Sequence, residues 1–591
     1  MGLTVKAALS VLMKFRTFIV ALAITGSMLF LGGIGGFLGI TLQRPLNALQ
    51  NEALAAPSAA IFVPKRSPLM LSLLVNPDRL LRLREIVASP AHRRQAIAEV
   101  AQLKRTLLDP IGVNYEQDVQ AWLGNEITFA VTAIDRDRDP SNGEQPGYLW
   151  AIASQDGNRA REFMQLFWQK RAIAGASLLF EQYAGVQLIY QQPQAVNFAG
   201  SDAARKVPAA HQSMASAVVG NQFLLFANDP AVLRQAITTA QARDLNLVQS
   251  PIYQRTLQTL ASHPIGLTYI NLSAFNRWIG LTDDSLPASL IESETPPLDT
   301  LLLAFHLHPQ GILADTVLTL TDGSNATLNT PADLSTAKAL RHIPPSATLA
   351  ASGNHLDQLL ATLTAEFGEQ LTTRLPKRLS TASLADDISG LNFIWGDRPY
   401  ALAAVPGRQS TQPDWIFVTQ LPQSTPEIFS DPLNQLARES GFNVGPLQLG
   451  DTPVTAWTVL STASTATNGL QLQAEVKGLL AEVDDYGILA SSAQALDQAL
   501  KATQNSIAAN PLFQTAIAPL PQTSAKTDIG TFYLDWPTLR PILESQLPTV
   551  QWASRWGQPW LDHLQSLAIR GRPSSRQSLR QGSLFIRLVE R

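Results

Sequence analysis

A closely spaced pair of histidines is the first place where this chain could do chemistry. His306 and His308 are two residues apart in an alternating apolar run, so on a β-strand both imidazole rings would lie on one face. Such a pair can hold a metal ion if a third ligand comes from elsewhere in the fold. However, Pro309 and Gly311 follow at once, which places the pair where a strand ends in an exposed turn. The further ligands that a metal needs are missing, and we therefore predict no metal site.

A cluster of acidic residues before the same strand is the second candidate. Its members are Asp283, Asp284, Glu292, Glu294 and Asp299. Carboxylates can act in acid–base catalysis or bind calcium, but these residues lack the regular spacing of an EF-hand loop. We interpret the cluster as a solvated loop.

Basic residues are concentrated further towards the N-terminus. Between Lys65 and Arg105 the sequence has nine basic residues against three acidic ones. This patch favours contact with anionic lipid head groups, where each charge contributes about 1 kcal/mol; the alternative is an ordinary solvated helix face. The candidate contact residues are Lys65, Arg66, Arg79, Arg82, Arg93 and Arg94. A second basic group lies near the C-terminus, at Arg570, Arg572, Arg576, Arg580, Arg587 and Arg591.

The composition and the motifs exclude several classes of chemistry. The 591 residues include no cysteine, which rules out disulfides, thiol nucleophiles and cysteine-ligated metal centres. The chain lacks a G-x-S-x-G nucleophile elbow, a phosphate-binding G-x-x-x-x-G-K-[ST] loop and an H-E-x-x-H zinc helix. Its formal charge of -3 argues against nucleic acid as the main partner. We therefore predict no catalytic residues and no cofactor.

An uncharged apolar stretch near the N-terminus predicts the topology. Residues 17–42 carry no charged side chain, and a bilayer is crossed by about 20 apolar residues. Because Lys6, Lys14 and Arg16 precede it, we expect 1–16 in the cytoplasm and the bulk of the chain on the extracytoplasmic side of the membrane. A cleaved signal peptide is the alternative, with Ala53-Leu54-Ala55 resembling a cleavage site. The stretch exceeds the roughly 7–15 apolar residues of a signal peptide, so we favour a single-pass signal anchor.

Glycines inside this stretch predict helix packing in the membrane. Gly32, Gly35, Gly36 and Gly39 form two overlapping small-xxx-small pairs that share one helix face. Such a face lets a second backbone approach closely, which predicts self-association or a protein partner through the membrane helix. The alternative is that glycine is common in membrane helices.

After a linker at 43–58, the sequence resembles two tandem copies of one unit. Leu267–Ile270 matches Thr531–Leu534, Phe223–Phe226 matches Gly487–Ala490, and the turn glycine Gly124 matches Gly396. Matches that keep their order while their offsets drift indicate a tandem duplication with loop insertions. The predicted units are 59–321 and 337–591, with a linker at 322–336; chance similarity among apolar strands is the alternative.

The elements that must position these residues are short strands and amphipathic helices. Leu301, Leu303, Phe305 and Leu307 alternate with a period of two, as in a half-buried antiparallel strand. Strand pairs interspersed with a few helices predict an α+β class, with helices packed on antiparallel sheet. The predicted architecture is therefore two tandem related α+β units after one N-terminal transmembrane helix.

Two further stretches carry a family resemblance. Phe62–Pro68 (FVPKRSP) and Ser72–Leu80 (SLLVNPDRL) resemble an uncharacterised family of bacterial membrane-anchored proteins, best represented in cyanobacteria. The resemblance extends over most of the chain beyond the anchor. It implies an anchored extracytoplasmic protein of the cell envelope, and it brings no catalytic residues, because the family is itself a domain of unknown function.

Three functional hypotheses from different classes remain. The preferred one is a membrane-tethered extracytoplasmic binding or scaffolding protein without catalytic activity. The second is a carrier or binder of a lipid or other apolar ligand at the membrane surface, since curved sheets packed by helices can enclose an apolar pocket. The third is a hydrolase whose catalytic residues are dispersed along the chain.

Overall fold

The computed structural model describes most of the chain after residue 52. The described residues are 53–78, 94, 98, 115–137, 144–191, 214–260, 263–278, 298–320, 336–353, 398–407, 413–421, 427–439, 441–464, 470–521, 530–546, 562–572 and 579–589. The predicted anchor at 17–42, with Gly32, Gly35, Gly36 and Gly39, lies outside them. Among the helices within these ranges, none is both long enough and apolar enough to cross a bilayer.

An antiparallel sheet of 20 strands forms the centre of the described structure. The first ten strands are β1 (Leu69–Leu73), β2 (Leu123–Ala133), β3 (Gly147–Ser154), β4 (Leu178–Tyr183), β5 (Val186–Gln191), β6 (Ala215–Val219), β7 (Phe223–Ala227), β8 (Gly266–Asn271), β9 (Leu298–His308) and β10 (Gly311–Leu320). The second ten are β11 (Leu349–Gly353), β12 (Tyr400–Val405), β13 (Asp414–Gln420), β14 (Asn443–Leu449), β15 (Thr452–Ser464), β16 (Leu470–Val483), β17 (Tyr486–Ala490), β18 (Gly530–Asp535), β19 (Leu564–Arg572) and β20 (Leu579–Leu588).

The strands of the two halves pair in the same order. Strands β1 to β10 lie in the order β4-β5-β6-β7-β3-β2-β1-β8-β9-β10. Strands β11 to β20 lie in the order β14-β15-β16-β17-β13-β12-β11-β18-β19-β20. The last strands of the two halves, β10 and β20, pair with each other from Gly311 opposite Arg587 to Thr319 opposite Leu579. This pairing, which we call the seam, makes one continuous sheet.

Helices cover both faces of the sheet. They are α1 (Gly157–Ile173), α2 (Pro230–Gln241), α3 (Pro251–Leu257), α4 (Leu272–Trp278), α5 (Thr336–Ala339), α6 (Glu427–Glu439), α7 (Ala493–Lys501), α8 (Pro511–Ile517) and α9 (Trp536–Gln546). Local sequence explains several of their starts, because Asp156, Asp229, Ser250, Ser492 and Asn510 each accept a hydrogen bond from a backbone N–H of the first turn.

The core lies in two layers because alternate side chains of each strand point to opposite faces. On one face, Tyr269 of β8 packs edge-on against Tyr253 of α3, and Tyr533 of β18 packs likewise against Phe513 of α8. On the opposite face, a single apolar cluster runs across the seam and includes the side chains of α1 and α9. Its members in the seam strands β10 and β20 are Ile312, Ala314, Leu584, Ile586 and Leu588.

The mixed α/β class with a large antiparallel sheet and packed helices is thus confirmed. The register of β8 and β18 agrees with the sequence alignment, since Leu267 lies opposite Ser72 and Thr531 opposite Ser352. The alignment of β7 with β17 was wrong by one residue: followed through the paired strands from Ser72 and Ser352, Phe226 corresponds to Leu489 rather than to Ala490. These strands are apolar at nearly every position, so no alternation marks their register.

We expect the turn that enters the seam to tolerate only glycine at its last position. Gly311 has a φ of 155°, and an added Cβ would collide with the backbone carbonyl oxygen of Ile586 in the partner strand. Replacement Gly311→Ala should therefore lower the free energy of unfolding by about 1–3 kcal/mol. Urea denaturation followed by tryptophan fluorescence measures the effect. Gly445→Ala in β14 is the matched control, because nothing lies within 4 Å of its Cβ position. Equal midpoints for the two variants would contradict the account.

Candidate functional site

Four polar side chains from four neighbouring strands meet at the seam. His306 lies on β9, Asp315 on β10, Ser583 on β20 and Arg572 on β19. The strand register explains why they meet, because Asp315 lies directly opposite Ser583. His306 lies opposite Leu313, two residues before Asp315 on β10. Arg572 lies opposite Gln581, two residues before Ser583 on β20, so all four side chains are on the same face of the sheet. We call these four residues the seam cluster.

The carboxylate of Asp315 is the centre of the seam cluster. Its Oδ1 lies 2.9 Å from Nη2 of Arg572 and accepts a hydrogen bond of 3.4 Å from the hydroxyl of Ser583. Its Oδ2 lies 3.7 Å from Nε2 of His306. The Asp315 and His306 side chains are only 12% and 14% exposed, so the Coulomb attraction of the Arg572 guanidinium is weakly screened by water.

Burial controls the protonation of the histidine in this cluster. Desolvation lowers the pKa of His306 and outweighs the opposite effect of the Asp315 carboxylate. The imidazole is therefore neutral at pH 7, and its Nε2 is buried without a hydrogen-bond partner. This leaves the ion pair of Asp315 with Arg572 as the main electrostatic contact of the cluster.

The geometry of the cluster does not match nucleophilic catalysis. A serine nucleophile needs a base at its hydroxyl, usually an imidazole that a carboxylate orients. Here the hydroxyl of Ser583 donates to the carboxylate of Asp315 directly, and its own residue is fully buried. The Asp315 carboxylate is satisfied by Arg572 and Ser583, whereas Nε2 of His306 and Nε of Arg572 are buried without a hydrogen-bond partner. The position of the cluster between β10 and β20 makes it part of the contact that joins the halves.

The histidine pair lies on one face of β9, as its spacing predicted. His308 packs its ring edge-on against Phe585 at a centroid distance of 5.2 Å. Its Nδ1 accepts a hydrogen bond from the backbone N–H of Gln310, and burial lowers its pKa. Among the residues that the structure describes, no three His, Asp or Glu side chains come together as a metal site would require. Of the predicted acidic cluster, only Asp299 is described, at the second position of β9.

The predicted lipid-contact residues are only partly described. Lys65 is half-buried, Arg66 and Arg94 are exposed, and Arg79, Arg82 and Arg93 lie outside the described residues. Lys65 and Arg66 lie before the first residue of β1. At the other end of this strand, the backbone N–H of Leu54 donates a hydrogen bond to the carbonyl oxygen of Leu74, the residue after the last residue of β1. Leu54 therefore lies at the end of β1 opposite to the two basic residues.

Three of the six C-terminal arginines are half-buried and bond to residues elsewhere in the fold, whereas Arg576 and Arg591 lie outside the described residues. Arg570 donates to Thr531 and to the carbonyl oxygen of Pro521, each at 3.4 Å. Arg587 bonds to the hydroxyl of Thr515 in α8, and Arg572 belongs to the seam cluster. Their alternate positions along β19 and β20 are visible in the sequence, but their partners come from other strands and helices.

Sequence reasoning also missed a buried carboxylate in the first half. Glu126 is fully buried, and its Oε1 accepts hydrogen bonds of 2.9 Å from the backbone N–H of Ala59 and from the hydroxyl of Thr128. Its Oε2 accepts from the backbone N–H of Ser58 at 2.9 Å. The carboxylate thus caps the short helix Ser58–Phe62, and a lone glutamate in an apolar strand was its only sequence signal.

Comparison with known proteins decides the family. A family model described as "Protein of unknown function (DUF3352)" matches residues 22–588. The chain belongs to this family. The resemblance seen in Phe62–Pro68 and Ser72–Leu80 is thereby confirmed as membership of a family of unknown function. No curated protein matches the chain.

Solved structures give a distant likeness only. Crystal form I of TP0453 matches 46% of this chain and 82% of its own, with 10% identity and a TM-score of 0.25. Crystal form III of the same protein matches 46% of this chain and 84% of its own, with 10% identity and a TM-score of 0.23.

We expect the Asp315 carboxylate to contribute substantially to stability. Asp315→Asn keeps the shape of the side chain but leaves Arg572 without its charge partner, so the free energy of unfolding should fall by about 1–3 kcal/mol. The matched control is Asp497→Asn, which removes an exposed pair with Lys501 and should cost at most about 0.5 kcal/mol. Urea denaturation of the two variants beside the parent chain measures both values. A smaller loss for Asp315→Asn than for Asp497→Asn would contradict this role.

Proposed function

We propose that this protein is a membrane-tethered extracytoplasmic binding or scaffolding protein of the envelope, without catalytic activity. In this proposal the segment 17–42 is an uncleaved signal anchor, and two tandem related units, 59–321 and 337–591, form the extracytoplasmic part. The bacterial, and more narrowly cyanobacterial, origin suggested by the family resemblance belongs to the same proposal. The periplasm and the thylakoid lumen are the two compartments that this topology allows.

The observation that carries the proposal is the repeated strand order around a continuous sheet. Both halves place their strands identically, and they meet at the seam through paired strands and a shared apolar cluster. At the seam the carboxylate of Asp315 bonds to the side chains of Arg572 and Ser583. A sheet of 20 strands offers surface for binding and scaffolding, in which surface rather than reactive groups performs the function.

Equivalent contacts support the duplication beyond the strand order. The backbone N–H of Leu247 bonds to the carbonyl of Val63 at 2.8 Å, and that of Ile507 bonds to the carbonyl of Ile343 at the same distance. Each contact is followed within four residues by a helix whose first residue is proline, Pro251 in α3 and Pro511 in α8. Shared contacts of this detail, in addition to shared order, favour a tandem duplication over chance similarity.

The topology provides the decisive test of the tether. Epitope tags placed before Lys6 and after Arg591 should lie on opposite sides of the membrane, because the basic residues before the apolar stretch retain the N-terminus in the cytoplasm. External protease applied to spheroplasts should remove the C-terminal tag and spare the N-terminal one. Lysed spheroplasts, in which both tags are accessible, are the control. A mature protein that lacks residues 1–55 would overturn the tether and support a cleaved signal peptide.

The glycine face provides a second test, directed at partners within the membrane. Gly32→Ile combined with Gly36→Ile should block close helix approach and lower self-association or partner recovery in mild detergent. Gly26→Ile combined with Gly33→Ile is the matched control, because both residues lie in the same stretch but away from the predicted face. Chemical crosslinking before solubilisation measures the association. Equal recovery of the two double variants would mean that the glycine face has no packing role.

A further inference from the structure

An exposed apolar segment connects α1 to β4 in the first half. Residues 172–180 read AIAGASLLF and include no charged side chain. Ile173 is 80% exposed and Phe180 is 64% exposed, the highest values among the large hydrophobic residues that the structure describes. Leu179 in the same segment is 39% exposed. We call residues 172–180 the apolar tip.

The local structure explains why the apolar tip is exposed. Helix α1 packs on the sheet through Phe163, Phe167 and Trp168, which leaves its last residue, Ile173, on the solvent side. Gly175 has a φ of 92° and turns the chain back towards β4. Among the described strands β4 pairs with β5 alone, so it is an edge strand of the sheet. The tip therefore joins the end of helix α1 to an edge strand of the sheet.

Positive charge accompanies the apolar tip. Lys170 and Arg171 immediately precede it; the Lys170 side chain is 70% exposed, with Asp118 at 3.6 Å, and the Arg171 guanidinium lies over the ring of Phe167. The nearest acid in β4 is Glu181, which Arg234 neutralises through two hydrogen bonds of 2.8 and 2.7 Å. Together these three basic and two acidic side chains carry a net charge of +1.

The sheet register places the predicted basic residues at the same end of the strands. One row of paired residues runs through Leu179, Tyr190, Ala215, Ala227, Leu149, Ala130 and Met70. Leu179 is thus level with Met70, the second residue of β1, and the preceding residues Lys65 and Arg66 lie beyond that same end. The apolar tip also lies there, because it leads into the first residues of β4.

Among the residues that the structure describes, the second half has no comparable tip. Between α6 and β14 the chain passes through Gly441 and Phe442, and Phe442 is buried against Trp457 and Leu433. In β14, Asn443, Pro446 and Gln448 are exposed beside Leu447. A feature needed only to complete the repeated fold would be expected in both halves, so the exposed tip serves a purpose specific to the first.

We propose that the apolar tip enters the head-group boundary of an anionic bilayer and fixes the orientation of the first half against the membrane. Aliphatic and aromatic side chains bordered by Lys and Arg are the chemistry that favours the interface of anionic lipids. This inference extends the proposed tether, and the chain length permits it. Ala53 follows Leu42 by eleven residues, a reach of up to about 35–40 Å, whereas β1 spans only about 17 Å.

The absence of cysteine permits a site-specific test in the full-length chain. Ser177→Cys within the tip and Gln448→Cys on exposed β14 each introduce the only thiol, which is labelled with an environment-sensitive fluorophore. The labelled chains are reconstituted into vesicles of phosphatidylcholine, with or without phosphatidylglycerol. At position 177 we expect a blue-shifted emission and about threefold or more weaker quenching by iodide than at position 448, most clearly with phosphatidylglycerol.

A second variant separates insertion from folding. Ile173→Asp and Phe180→Asp, added to the Ser177→Cys chain, change two exposed side chains and should leave the far-UV circular dichroism unchanged. Their carboxylates should bring iodide quenching at position 177 up to the level at position 448, because charge at the interface opposes insertion. Quenching that stays low in this variant would overturn the proposal.

Two further outcomes would also overturn it. Equal iodide quenching at 177 and 448, in vesicles that float with the protein, would refute insertion of the tip while leaving the tether intact. Protection at position 177 that rises with protein density, together with energy transfer between labelled chains, would identify a second copy rather than lipid as the occupant. Failure of the parent chain to float with vesicles would instead refute the tether itself.

Discussion

Pairing between β10 and β20 is the contact on which the rest of the architecture depends. Each half ends in one of these strands, and without the partner each would present a row of unpaired backbone N–H and C=O groups at an open edge. The seam closes both edges at once, from Gly311 opposite Arg587 to Thr319 opposite Leu579. The apolar cluster on one face continues through Ile312 and Ile586, so the two halves share part of a core. Two ten-stranded sheets thereby become a single platform.

The seam cluster gives this pairing its specificity. A slip of one residue between the strands would turn Asp315 from its polar neighbours towards the face that carries Ile312 and Ala314. A buried carboxylate without Arg572 and Ser583 would cost several kcal/mol, which is more than most single contacts provide. The main effect of the ion pair is therefore to make incorrect registers of β10 and β20 unfavourable. The neutral imidazole of His306, with its pKa lowered by burial, adds no competing charge.

The two halves share their strand order and several internal contacts, and they differ in the side chains near the edge strands. Their strand order and the paired contacts of Val63 with Leu247 and of Ile343 with Ile507 are common to both. The segment before the edge strand differs, because Phe442 is buried whereas Ile173 and Phe180 are exposed. Functional asymmetry in such a platform arises at edges and loops, since the interior positions are constrained by packing on both faces.

Local features of the sequence determined much of the secondary structure. Alternation in Leu301–Leu307 marks the strand β9, side chains such as Ser250 cap helices, and the order of the matched stretches predicted the order of the strands. The stretches Phe62–Pro68 and Ser72–Leu80 were sufficient for the family. The anchor at 17–42 remains a prediction from hydropathy and charge alone. Apart from the match between the two halves, each of these signals depends on residues only a few positions apart in the sequence.

The tertiary structure alone decided which distant side chains meet. Asp315 and Ser583 are 268 residues apart, and nothing in their neighbourhoods reveals that β10 pairs with β20. The same reason explains why Arg570, Arg572 and Arg587 resembled a surface patch, although their partners lie within the fold. The one-residue error between β7 and β17 arose because both faces of these strands are buried, so the apolar pattern loses its period. Contact between remote strands depends on the sum of many weak packing terms, which no local pattern encodes.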